Sequence, residues 1–345
     1  MMFPIRHFST SAMILALFLN LIFAAASKYE WNQAGETDSL TVRNAHAMAY
    51  DNDREKVMLF GGADDRRVLG DLWEWNGKTW HKISASGPVP RTFSSMAYDG
   101  DRQRLVLFGG NRVLFGTEND KDTFLDDMWE WDGARWQMIK TTTPPARAEA
   151  CMVYDSARRR LVLFGGYNVV AGKRTRFGDT WEWDGKTWER VSNSGPSHRN
   201  GVTMTYDPIH RRVILFGGNG PSGETWTWDG KSWSEIKPAI AAGRFNSVMA
   251  FDEARQHVLR FGGWNGKTRV GDTWIFDGII WKQIDAAGPE ARNHAAMVYD
   301  AKRQRLVLFG GHDGERVFGD TWEWNGSKWS WLAFHEPRPR VDNGH

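Results

Sequence analysis

Short apolar runs closed by paired glycines recur along this chain. The third copy reads Arg160-Leu-Val-Leu-Phe164 before Gly165-Gly166, and the pair returns at 61–62, 109–110, 217–218, 262–263 and 310–311. First to last pair spans 249 residues over five intervals, near 50 each. That is the period of a propeller blade. The run before each pair is β-branched and aromatic, as suits a strand covered on both faces. Trp181 and Trp183 follow, separated by one polar residue, so their rings share a face of a second strand. Asp184-Gly185 then predicts a tight two-residue hairpin with positive φ angles before Trp188. Asn76-Gly77, Asp132-Gly133, Asp229-Gly230, Asp277-Gly278 and Asn325-Gly326 repeat that device. With a strand ahead of the glycine-terminated run, each unit has four strands, A to D. A lone blade cannot cover its own faces, so the pattern predicts an all-β, six-bladed β-propeller.

Composition agrees: 20 Trp and 36 Gly among 345 residues suit many short strands and tight turns. A net charge of +2 offers no electrostatic footprint for nucleic acid. Residues 1–26 read differently from the rest. Arg6 and His7 precede an apolar run of about 15 residues that ends in Ala24-Ala25-Ala26. A spanning helix needs about 20 residues, so a cleaved signal peptide is expected, with no membrane span afterwards and a secreted or periplasmic product. Cys151 is the single cysteine, so no intramolecular disulfide can form. The expected organisation is a signal peptide over 1–26, an N-terminal segment over 27–43, the propeller over 44–333 and a tail over 334–345, working as a monomer.

The doubled Gly, the spaced aromatic strand and the closing Trp resemble the kelch repeat, related to the central domain of galactose oxidase. The resemblance covers roughly residues 44–333 and suggests an exported, bacterial-type kelch protein. Trp stands where the kelch pattern usually has Tyr, with Phe276 in the fifth copy. WD and Asp-box propellers fit less well. Trp131-Asp132 opens a hairpin without a Gly-His partner, and Asp184-Gly185 lacks a residue that the Asp-box needs. The galactose oxidase relation implies a copper site with a Tyr–Cys crosslink and a further C-terminal domain. Here Cys151 fills a slot that holds Ala47, Ser95, Thr203, Val248 and Ala296 elsewhere, and only twelve residues follow Ala333. No cofactor is expected.

Function should lie on one face. The A–B and C–D turns barely vary, whereas the B–C loops have 8, 16, 12, 5, 8 and 8 residues. Variable loops on a rigid scaffold carry recognition. Arg43, Arg91, Arg147, Arg199, Arg244 and Arg292 open strand A in all six units. Repetition favours pairing with Asp71, Asp127, Asp179, Glu224, Asp272 and Asp320 at the start of strand C. The kelch resemblance implies ligand contact by such arginines, which keeps Arg147 and Arg292 among the candidates. Trp73, Trp129, Trp181, Trp226, Trp274 and Trp322 recur in register and are expected to pack between blades. Residues that differ between units are better ligand candidates: Trp264, Tyr167 and His312 directly after the Gly pair, and Glu149 and His294 two residues after the Arg. His46 is expected beside blade 6. A His pair with Glu149 across the channel could hold a metal, though no ligand spacing enforces it. Glu118, Asp120 and Asp122 alternate as calcium ligands do, but the Gly and closing Glu of such a loop are missing.

Two functional classes follow. One is a non-catalytic exported propeller that binds a protein or glycan on its loop face. The other is a carbohydrate-active enzyme resembling the six-bladed sialic acid epimerases, with an Arg on the substrate carboxylate and a His or Glu moving a proton.

Overall fold

The computed structural model describes residues 39–83, 86–114, 123–218, 223–241 and 243–334. The expected leader, the acidic run at Glu118 to Asp122 and the tail beyond 334 lie outside them. Six four-stranded antiparallel sheets succeed one another along the described chain. Blade 3 comprises Cys151–Asp155, Arg160–Phe164, Thr180–Trp183 and Trp188–Ser192 as strands A to D. The other blades repeat that order over 47–83, 95–138, 202–241, 248–284 and 296–334.

Strand A is innermost, and each strand A packs against those of the neighbouring blades, the first against the last. Strand B lies between A and C with a blade on either side, so Leu161, Val162, Leu163 and Phe164 are fully buried. Strand D is the outer edge, where Trp188 is buried and Glu189 and Arg190 face water. The Trp residues of strand C fall into the interblade clusters, as their repetition predicts.

Ring closure uses the same contact as three of the other interfaces. Trp233, Trp281 and Trp329 of strand D each donate an indole N–H to a Thr hydroxyl in strand C of the preceding blade, at 2.8, 2.8 and 3.0 Å. Trp80 of blade 1 does so to Thr321 of blade 6 at 3.0 Å. Each end blade supplies its own four strands, so closure exchanges none among the described residues.

The glycine pair has a steric origin. Gly165 has φ 71°, and a Cβ there would lie 2.6 Å from the Arg199 carbonyl oxygen of the next blade. Its amide partner Gly166 donates to that carbonyl at 3.0 Å. Only Gly tolerates both constraints.

Two local expectations need correction. The C–D turns are not two-residue hairpins with two left-handed residues. Trp75 pairs with Trp80, so residues 76–79 make the connection, and only Gly77 is left-handed (φ 94°). Asn76 Oδ1 instead accepts the N–H groups of Lys78 and Thr79 at 2.8 and 2.9 Å. The Asx side chain shapes the turn. The blade 3 B–C loop is not plain loop either, because Tyr167–Val170 and Lys173–Arg176 form a hairpin of their own.

Candidate channel-mouth site

Where strand A begins, one residue per blade turns into the central channel: Ala45, Phe93, Glu149, Gly201, Asn246 and His294. All six have left-handed backbone, with φ between 52° and 65°. Five backbone bonds tie this belt from blade to blade. Ala45 N–H donates to His294 O, Phe93 to Ala45, Glu149 to Phe93, Asn246 to Gly201 and His294 to Asn246, at 2.8–3.3 Å. The belt dictates the backbone but not the side chain. A non-glycine residue pays about 1 kcal/mol for such a φ, yet Phe, Glu and His occupy three of the six positions.

Below the belt is a cavity of about 210 Å³, floored by Met48, Met96, Met152, Met204, Met249 and Met297. The same methionines roof a second cavity of about 310 Å³ toward the hairpin face. In that lower chamber Tyr50, Tyr98, Tyr154, Tyr206 and Tyr299 recur, with Phe251 in the fifth blade, while Asn52, Ser156, Pro208 and Glu253 differ at a second equivalent position. What sets the upper mouth apart is that its varying residues stand on left-handed backbone, where Gly would be easiest.

The mouth is spanned by a polar bridge. Glu149 of blade 3 reaches the opposite blade, its Oε1 3.7 Å from His294 Nε2. Asn200 Nδ2 donates to Glu149 Oε2 at 2.5 Å. His294 also contacts Asn246 through Nε2 and His312 Nε2 through Nδ1, the latter at 2.9 Å with the two rings stacked. Phe93 meets His294 edge-on at 5.0 Å. Burial, then the neighbouring His294, pushes the His312 pKa down to about 3. His46 packs against Phe309 of blade 6 (ring centroids 5.5 Å). Burial and then Arg43 lower its pKa to about 3, so both rings are neutral at pH 7.

The structure separates the other candidates. Trp264 is half-buried in its loop, 5.2 Å from the Arg269 guanidinium, and does not line the cavity. Tyr167 is not an exposed loop aromatic: it is fully buried. The blade 3 hairpin folds it against Phe124, Ala148 and Val169. Arg147 and Arg292 belong to a set of six buried ion pairs. Each opening Arg meets the acidic residue of its own blade at 2.5–2.7 Å. That acid also accepts the indole N–H two residues on, as Asp179 does from Trp181 at 2.7 Å. In five blades the guanidinium further donates to the first Gly carbonyl, as Arg147 does to Gly165 at 3.0 Å. These arginines tie strand A to the B–C loop. Cys151 sits on the cavity wall, and burial raises its thiol to about 11. Among the described residues no three His, Cys, Asp or Glu side chains are grouped to hold a metal.

Blade 5 breaks the pattern. Arg244 pairs with Asp272 but leaves its Nε without a partner, as is Asp272 Oδ1. Beside them Arg260 is fully buried, and none of its three nitrogens makes a hydrogen bond. It occupies the strand B position of Leu59, Leu107, Leu163, Leu215 and Leu308. Aligning the copies column by column exposes that exception.

Residues 184–345 match the family described as the KLHDC2/KLHL20/DRC7 Kelch-repeats domain. The fold is a kelch-type propeller. The match begins at the C–D turn of blade 3 and takes in blades 4 to 6. Blades 1 and 2 repeat the same strand order, glycine pair and Arg–Asp tie. No curated protein matches the chain. Kelch propellers commonly serve as protein-interaction scaffolds, which directs attention to the face where this one departs from its own repeat.

Proposed function

We propose that this kelch propeller is a binding module working outside the cytoplasm, engaging a protein partner through its channel-mouth face. One observation carries the reading: six equivalent left-handed positions on one belt hold six different residues, Phe, Glu and His among them, where the backbone alone favours Gly. A scaffold needs only the backbone there; the differing side chains serve a ligand. The cavity, about 210 Å³, is below the usual range of about 300–1,000 Å³ for small-molecule sites. It suits an inserted side chain, with surrounding loops meeting the rest of a partner. Export rests on the short apolar run before Ala24-Ala25-Ala26. Among the described residues no helix is long and apolar enough to cross a membrane.

The test has two parts. Affinity for a purified partner should fall in Trp264→Ala and Glu149→Gln, and stay level in Lys186→Ala on the hairpin face. The reverse pattern would move binding to the other face. Amino-terminal sequencing of the secreted protein should begin near Ser27; soluble cytoplasmic protein retaining Met1 would refute export.

A further inference from the structure

The mouth also has a charge preference. Among the described Asp, Glu, Lys and Arg residues, only Glu149 lines its cavity. The Glu149 side chain is 2% exposed, with Oε2 taken by Asn200. Its Oε1 accepts no hydrogen bond, and the 3.7 Å to His294 Nε2 is too long for one. A buried carboxylate oxygen without a donor is costly. On the same cavity wall Ser94 Oγ also lacks a partner, and the buried His46 ring has only the Phe309 backbone within reach of its nitrogens. His46 is neutral, so one of its nitrogens is an acceptor. A carboxylate, a hydroxyl and an imidazole lone pair around one small chamber call for a cation with several N–H donors. Phe93 lines the same cavity, where its ring can meet an alkyl stem or a cation.

We propose that the channel mouth binds a primary ammonium group, presented as a lysine side chain or as the free amino terminus of a partner. An ammonium offers three donors and one positive charge in the space of a chain end. An anion would face Glu149, while the nearby arginine ring is already committed to its own acids. This inference rests on the reading of this face as a binding surface and adds the chemistry of what enters it.

The six methionines that floor the cavity provide built-in reporters. With methionine methyls carrying 13C, titration of the full mature chain with butylammonium should give saturable shifts of Met48, Met96, Met152, Met204, Met249 or Met297 signals. Butanol, of like size and without charge, should not. Glu149→Gln keeps the shape and loses the charge, and should weaken the response about tenfold or more. Nα-acetyl-lysine methylamide and alanine methylamide distinguish the sources: the first offers only a side-chain ammonium, the second only an amino terminus. Equal shifts with butanol, no saturable shift with butylammonium, or an unchanged response in Glu149→Gln would overturn the proposal. The butanol comparison uses the wild-type protein, so it holds even if the variant folds poorly. If butylammonium leaves the methyls unmoved while a purified partner still depends on Trp264, the ammonium site is refuted and the binding face stands.

Discussion

Replacing Arg260 with Leu should stabilise this protein. Arg260 is fully buried between blades 4 and 5, lying over Phe216 (4.5 Å), Trp274 (5.3 Å) and Trp281 (5.4 Å) without a hydrogen bond. Burial, and then the nearby Arg244, depress its pKa from the ordinary arginine value to about 9. At 1.36 kcal/mol per unit, such a depression corresponds to roughly 5 kcal/mol of cost for keeping the charge at pH 7. The aromatic faces return about 2 kcal/mol, and leucine, smaller than arginine, leaves a small gap that takes back part of the gain. Exchanging buried charge for a packed apolar side chain typically yields about 1–4 kcal/mol, so we expect about 2 kcal/mol. For a ring of this size that is roughly 3 °C in Tm. Thermal melts and urea titrations followed by circular dichroism read both quantities. The pH dependence adds a signature. A folded pKa below the unfolded one means that the unfolded chain binds more protons between about pH 9 and the ordinary arginine value. Wild-type stability from this group therefore rises with pH in that window, and the advantage of Arg260→Leu should shrink between pH 8 and 10.5. A variant that melts lower than wild type, or an advantage constant across that range, would refute the reasoning.

Further outcomes follow from the same geometry. Asp71, Asp127 and Asp179 are partly buried, which alone would raise their pKa values, but the Arg pairs and indole N–H donors outweigh burial and hold them low. Their stabilisation is present above the unfolded value near 4 and lost as pH falls through the lower folded values. Melting temperature should therefore drop below about pH 4, and Asp179→Asn should cost about 3 kcal/mol at pH 7 but progressively less in acid. Tyr167→Ala should cost about 3–5 kcal/mol of stability by removing a buried aromatic, which denaturant titration will show. With its thiol raised to about 11, Cys151 should react with a thiol reagent at pH 8 about 10²-fold more slowly than free cysteine, recovering full reactivity in urea.

The sequence reveals what repetition enforces. The glycine pairs, the Arg–acid ties and the interblade Trp residues recur because six interfaces pose the same steric and electrostatic problem, and repetition separates them from residues that serve one blade. Glu149 and His294 fall on opposite blades by counting alone, although only closure of the ring shows that their side chains span the mouth. Tyr167 was less legible. It shares a position with Trp264 and His312, and nothing nearby signals that its longer loop folds back as a hairpin and covers it. The Asn/Asp-Gly turns misled for a related reason: the Asx side chain, not a second left-handed residue, satisfies the turn amides. Arg260 was legible as the one charge in a column of leucines, but its isolation from any acceptor depends on packing across two blades.

The binding-face assignment can be tested without knowing the partner. A photo-crosslinking amino acid placed at Trp264 in one protein and at Lys186 in another samples the two faces in the protein's native setting. The account predicts discrete protein adducts from position 264 and none of comparable yield from 186. Adducts confined to position 186 would contradict it.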